Sequence, residues 1–403
     1  MDSVRVPLFA LPQQRQFSTT EDQWFKNCYP EVIAGPADTP FTSVIKRPGF
    51  SDSLTTATAA GRGLYGWTQN GGIYAVVGNQ VFKDGSALSG TLDDETGRVD
   101  ITEVRGGTPR LVLRVADKIW TITAGGTLAK QTDADIPTGL VSGIVNIDGF
   151  ICVMKGSTNQ IFHADVNAPA DWDANSVLTS SLEPDLGVGI AKHLNFVVAF
   201  NEWSTEFFFN AGNAAGSTLS PVEGIAIRYG CANGDTIYSG ENTIIWMAQG
   251  RSGGKSIMML EGNDLKTIST KPVERLIDEE ASGGGNGIAD AYAYGMRIAG
   301  HQFYILTLKN TAKTLVCDIR DGTWHEWTSF DGSTETYFTG MDFCEDADKK
   351  FILDEDNGKI YNMDLDIHQD STNDIKVEML TSRIDFQSTK PKFLYRLGVI
   401  GDI

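Results

Sequence analysis

The 403-residue chain has few cysteines, little positive charge, no long apolar run and almost no helical periodicity. Each shortage excludes something. The five cysteines (Cys28, Cys152, Cys231, Cys317 and Cys344) are odd in number, lie far apart and are never spaced Cys-x-x-Cys. That pattern argues against a disulfide framework and against a zinc site. Within Ile151-Cys152-Val153 and Val316-Cys317 they read as small buried hydrophobes. Lysine and arginine number 33 against 52 acidic residues, a net charge of −19. Duplex DNA is gripped by neutralising its phosphates, so the chain suits neither tight binding of nucleic acid nor anionic membranes. It suits a surface along which DNA slides without sticking. No stretch approaches the ~18 apolar residues of a membrane span. Met1-Asp2-Ser3-Val4-Arg5-Val6-Pro7 lacks the basic start and apolar run of a signal peptide. The expectation is a protein made in a cytoplasm and staying soluble. The best helical pattern is Pro272–Ala281, with Pro272 at the first helical position and Val273, Leu276 and Ile277 on one face. The loop Ser282-Gly283-Gly284-Gly285-Asn286-Gly287 ends it.

What is present is glycine, 43 residues spread along the chain, as in proteins with many tight turns. With 41% hydrophobic and 21% charged residues the chain can bury a core. From about residue 60 a rhythm appears: a β-rich run, a turn, then Ile or Val followed by an aromatic. Its clearest copies are Gly78–Phe82, Asp117–Trp120, Asn159–Phe162 and Gly358–Tyr361. Weaker copies are Thr205–Phe208, Ser256–Met259 and Thr314–Cys317. Turn pairs such as Asn70-Gly71 and Asn357-Gly358 tolerate the positive φ of a tight hairpin. Seven units with a period of roughly 40–55 residues fall in the range of propeller blades. A small sheet cannot bury both faces alone, but radial stacking in a closed ring buries them. The expected fold class is all-β, a β-propeller of about seven blades over residues 51–373. It is flanked by an extended N-terminal arm, residues 1–50, and by C-terminal strands, residues 374–403. The arm holds six of the 13 prolines (Pro7, Pro12, Pro30, Pro36, Pro40 and Pro48) and no pattern that could bury itself. The tail alternates through Val377, Met379, Ile384, Phe386, Phe393, Tyr395, Leu397 and Val399.

Motifs that could carry chemistry fail on spacing or context. Gly250-Arg251-Ser252-Gly253-Gly254 matches a nucleophile elbow, which needs a helix after it; here apolar strand-like runs lie on both sides. Its continuation Gly254-Lys255-Ser256 resembles the end of a P-loop, but the leading glycine is one residue too close. Asp354–Gly358 resembles a calcium loop in which Leu353 stands where the first carboxylate belongs. An acidic hairpin is the simpler reading, with adventitious calcium left open. Asp321-Gly322-Thr323-Trp324 is one residue short of an Asp-box and occurs once. His163, His193, His301, His325 and His368 show no ligand spacing. No catalytic, cofactor-binding or metal-ligating residue is assigned, no cofactor is expected, and the chain is read as a non-enzyme.

Several segments resemble the tail-hub family of short-tailed bacteriophages, the packaged-DNA stabilisation or tail nozzle proteins. They are Tyr29-Pro30, Arg47-Pro48-Gly49-Phe50, Glu202–Phe208, Ile268–Glu274, Gly300–Thr307 and Trp324-His325-Glu326-Trp327, in order across roughly residues 25–400. The resemblance implies a viral structural protein in the virion: a β-propeller subunit of a homo-hexameric ring at the end of the tail. Such a ring docks on the tail adaptor protein beneath the portal and meets tail fibre, spike or needle proteins. It retains the packaged genome and forms the last channel for DNA ejection, with double-stranded DNA passing without tight binding. Members of the family are somewhat longer, whereas this chain stops at Gly401-Asp402-Ile403. Either a neighbouring subunit completes the last sheet or this version is trimmed. Two other classes stay open: a propeller-fold glycosidase or sialidase-like enzyme, which needs carboxylates, arginines or a metal converging on the central pocket, and a monomeric interaction propeller.

Overall fold

The computed structural model describes residues 24–33, 41–225 and 227–380. Strands dominate, with one α-helix, Lys271–Ser282. Seven sheets of four or more strands follow one another along the chain. The first runs Gly61–Gly66, Ile73–Val77, Gln80–Lys83 and Ser86–Ala87, each strand antiparallel to the next. The others, numbered here as blades 2 to 7, occupy residues 99–130, 145–179, 187–221, 230–267, 292–330 and 340–364. The first strand of each blade faces the axis and packs against the first strand of the next, and blade 7 returns to blade 1. Blade 5 is the irregular member: its inner edge is broken into Gly230–Cys231 and Tyr238–Ser239 around a 3-10 turn at Gly234–Thr236.

All seven copies of the sequence rhythm lie on the third strand of their blades. The strong ones fall on Gln80–Lys83, Lys118–Thr123, Gln160–Asp165 and Ile360–Asp364. The weak ones fall on Thr205–Asn210, Lys255–Glu261 and Lys313–Asp318. A blade is covered on both faces by its neighbours, so consecutive apolar residues are buried: Val81 and Phe82, Ile119 and Trp120, Phe207 and Phe208.

The ring is sealed by the segment preceding blade 1. Gly49–Leu54 pairs antiparallel with Ile360–Asp364, placing Phe50 opposite Met363 and completing blade 7 from the other end of the chain. Only glycine fits at position 49, because a Cβ would lie 2.4 Å from the Gln369 carbonyl oxygen. Trp24–Lys26 adds to blade 6, parallel to Thr323–Phe330, and Glu378–Leu380 adds beyond it. Cys28–Ile33 and Phe41–Lys46 form a two-stranded hairpin between these additions. Of the tail positions expected to be strands, Met379 lies in Glu378–Leu380 and Val377 precedes it, whereas Ile384 to Val399 lie outside the described residues, as do residues 1–23 of the arm.

Arg47 ties these additions together. Its guanidinium is fully buried, and each of its five N–H donors has an acceptor. Nε donates to Asn27 Oδ1 (2.9 Å), Nη1 to Pro48 O (3.0 Å) and Asp370 Oδ1 (2.9 Å), and Nη2 to Thr328 O (2.9 Å) and Asp370 Oδ2. Phe338 lies 4.9 Å below it. One side chain therefore joins the first strands, blade 6 and the tail. Removing one partner of a buried pair strands the other charge. Arg47→Ala is expected to cost roughly 3–5 kcal/mol, and Arg47→Lys to recover less than half, since an ammonium cannot span both Asp370 oxygens and Asn27. Denaturant unfolding of the three proteins checks this; an unchanged midpoint for Arg47→Ala would refute the role.

Candidate functional site: the axial channel and the terminal seam

The inner strands of all seven blades enclose an axial cavity of about 460 Å³. Glycines let the strands approach closely: a Cβ on Gly143 would lie 1.8 Å from the Ile190 carbonyl oxygen, and one on Gly295 2.0 Å from the Tyr238 ring. Arg98, just before the inner strand of blade 2, reaches across the opening. Its Nη1 donates to Ala293 O in blade 6 (2.7 Å) and to Asp235 O in blade 5 (3.2 Å), and its Nη2 stands 4.0 Å from Asp342 Oδ1 in blade 7. Three carboxylates converge with it, as a propeller enzyme would require. Each already accepts bonds that hold blades or turns together. Asp342 takes the Leu64 N–H (2.9 Å) and the Phe343 N–H (2.9 Å). Asp100 takes Arg114 Nε (2.6 Å) and the Gly143 N–H (2.6 Å), and Asp235 takes Ser142 Oγ (2.6 Å). Burial pushes the Asp342 carboxyl above its ordinary range despite Arg98. Burial pushes Asp100 the same way, but Arg114 and the Gly143 N–H outweigh it and hold it low. The chemistry of this cluster is cross-blade adhesion. An opening spanned by one arginine is much narrower than a DNA duplex, whose major groove alone is about 12 Å wide.

Most of the segments singled out in the sequence converge elsewhere, on the seam between the N-terminal strands and blade 6, whereas Glu202–Phe208 lies apart from it in blade 4. Trp324-His325-Glu326-Trp327 is buried throughout. Glu326 accepts from Trp24 Nε1 (3.0 Å) and Lys313 Nζ (2.6 Å). Tyr29 sets its ring edge-on to His301 (4.8 Å) and Phe303 (5.2 Å). His301 Nδ1 lies 2.5 Å from Asp318 Oδ2. His325 is fully buried between Tyr29, Phe303 and Trp327, and neither ring nitrogen has a hydrogen-bond partner. Burial, with His301 nearby, lowers its pKa from 6.5 to about 3. Ile268–Glu274 opens the helix: Ser269 Oγ donates to Glu274 Oε1 (2.9 Å), and Trp324 Nε1 donates to Ile268 O (2.7 Å).

The near-miss motifs are turns. Gly250–Gly254 joins the antiparallel strands Thr243–Gln249 and Lys255–Glu261. Asp354 spends its Oδ1 on the Asp356 and Asn357 N–H groups (2.9 and 3.0 Å) and its Oδ2 on Thr339 Oγ1 (2.7 Å). Asp321-Gly322 turns between strands of blade 6, with Gly322 at φ +66°. Among the described residues no three His, Cys, Asp or Glu side chains group as metal ligands. All five cysteines are buried and unpaired. Two internal anchors carried no sequence signal. Arg98 is more than 130 positions from Asp235, Ala293 and Asp342, the groups it reaches in other blades. Glu280, buried on the helix, accepts the Asn310 and Thr311 N–H groups (2.9 and 2.7 Å) from a turn of blade 6.

A ring of seven blades sealed by its own terminal strands defines a β-propeller whose conspicuous side chains serve closure. The Phage_stabilise family model, described as Bacteriophage P22 Gp10, beta-propeller, matches residues 42–368. The chain belongs to this family, which places it among phage structural proteins that stabilise packaged DNA and so among virion components. No curated protein matches the chain significantly. Among solved structures it is similar to the N-terminal domain of Nup159 (10% identity, 84% of this chain and 98% of that one, TM-score 0.46). It is also similar to the Neurospora crassa Pan2 WD40 domain (10%, 79% and 95%, 0.48) and to the RRP9 WD40 repeats (9%, 79% and 99%, 0.49).

His325 makes a pH prediction. The folded protein holds it neutral, whereas the unfolded chain takes up a proton below pH 6.5. Its share of stability is complete above pH 6.5 and is lost at about 1.4 kcal/mol per pH unit as pH falls toward 3. His325→Phe is expected to remove that slope in unfolding measured between pH 6.5 and 4; an unaltered slope would count against a neutral His325.

Proposed function

We propose that the chain is one subunit of a homo-hexameric ring at the distal end of a short phage tail, holding the packaged genome until ejection and then letting it pass. The family match across residues 42–368 carries this reading. Two physical features support it. Arg98 bars the propeller axis, so the conduit in this reading runs between copies, with each propeller serving as a wall. A net charge of −19 per copy repels phosphates, which keeps DNA from sticking to that wall. The proposed neighbours are the tail adaptor protein beneath the portal on one side and fibre, spike or needle proteins on the other. DNA is a passing partner without a tight site, and no membrane binding is proposed.

Phage lacking this gene product are expected to package DNA and then lose it, giving particles with the capsid and portal but little nuclease-protected genome. Addition of the purified protein to fresh mutant particles should restore retention. Stable, full particles without the protein would sink the proposal. Native mass measurement on assembled tails should give six copies; a single copy per tail would remove the ring.

A further inference from the structure

The outermost strand added to blade 6 leaves an edge open. The sheet runs from Tyr292–Ile298 through Thr323–Phe330 and Trp24–Lys26 to Glu378–Leu380, and among the described residues no strand pairs with the far side of that last one. Such an edge presents N–H and C=O groups that a further strand would satisfy. This edge is also apolar. Val377, Met379 and Leu380 are 39%, 49% and 52% exposed. Leu380 lies opposite Trp24 and Met379 opposite the buried Phe25, so each carries an apolar row of the sheet out to its rim.

The sequence that follows Leu380 has the pattern of a strand pair. Arg383-Ile384-Asp385-Phe386 alternates, Ser388-Thr389-Lys390-Pro391 is a turn sequence, and Phe393, Tyr395, Leu397 and Val399 alternate again. A four-residue hairpin loop at 388–391 sets one register. Phe386 then falls opposite Phe393, Ile384 opposite Tyr395, Leu380 opposite Val399 and Met379 opposite Ile400. The three aromatic residues of the segment share one face with Leu380 in that register. A slip of one residue would set Phe386 against Lys392 and Leu380 against Gly398. Charge agrees: residues 381–403 hold four basic side chains (Arg383, Lys390, Lys392 and Arg396) and two acidic ones (Asp385 and Asp402), in a chain of net charge −19.

We propose that the strand Glu378–Leu380 runs on to residue 387, turns at 388–391 and is joined along its open edge by residues 392–400 of the same chain, whose Val399 and Ile400 cover Leu380 and Met379. The occupant follows from tethering. The segment begins at Leu380 itself, and so short a tether holds it against its own edge at an effective concentration on the order of millimolar, ahead of any second copy. A two-stranded ribbon is marginal alone in water, so the sheet of blade 6 is what stabilises the return strand. The inference does not depend on the ring reading above.

Paired cysteines test this in the full chain, where all five native cysteines are buried. Successive cross-strand pairs alternate between hydrogen-bonded and closer non-hydrogen-bonded types. Met379→Cys/Ile400→Cys and Leu380→Cys/Val399→Cys are therefore made side by side, with Leu380→Cys/Leu397→Cys as the out-of-register control. Under mild oxidation one of the two matched pairs is expected to form a disulfide within the chain in most molecules, and the control to link at least about tenfold more slowly, because its Cβ atoms lie too far apart. A disulfide between chains would show that a second copy's tail covers the edge and would overturn the proposal, as would matched pairs that link no faster than the control. Limited trypsin digestion of the unmodified protein gives a second reading. Cleavage after Lys392 and Arg396 is expected to be much slower in the native protein than after denaturation. Equal rates would overturn the docked strand even where the cysteine variants fail to fold.

Discussion

The fold depends on a charge that has no access to water. The Arg47 guanidinium sits against aromatic rings with all five N–H groups bonded. A buried charge is tolerated only when every partner is in place, and the partners come from three places: Asn27 and Pro48 beside the first strands, Thr328 in blade 6, and Asp370 after blade 7. Asn27 does the same on a smaller scale. It takes Arg47 Nε and the Thr328 N–H on Oδ1 and gives its Nδ2 to Thr328 Oγ1 and Lys376 O. The seam is thus satisfied only when both ends of the described chain have arrived. This accounts for Arg47-Pro48-Gly49-Phe50 as a unit: the arginine fixes the ends, the glycine lets the strand pass under Gln369, and Phe50 fills the space beside Tyr361.

Much of this could be read from the sequence, and the part that could depended on burial. Third strands are covered on both faces, so their apolar residues are consecutive and repeat once per blade; Ile119-Trp120 and Ile161-Phe162 are visible for that reason. Inner strands carry no such mark. They line a polar axis and rely on glycines at close approaches, so Gly143 and Gly295 look like ordinary turn residues until Ile190 and Tyr238 are set beside them. The helix was legible through Pro272, Val273 and Ile277 and proved one residue longer at each end, Lys271–Ser282. Glu280 was not legible, because its value lies in two backbone N–H groups thirty residues away. The strand character of Trp24–Lys26 and Gly49–Leu54 was hidden by neighbouring prolines and by partners 300 or more positions distant.

The axis and the outer surface use charge in opposite ways. Around Arg98, carboxylates and guanidiniums neutralise each other within bonding distance and draw the blades together. That cluster closes the propeller's own channel, and in the ring proposed above the conduit for DNA therefore runs between copies. Outside, the acidic excess is unpaired and acts at a distance, where it repels phosphate.

It also repels other copies of itself. Chains carrying −19 each cannot be held side by side by their average field, which opposes association. Over the roughly 8 Å Debye length of physiological salt, however, that field is largely screened, and short-range contacts decide.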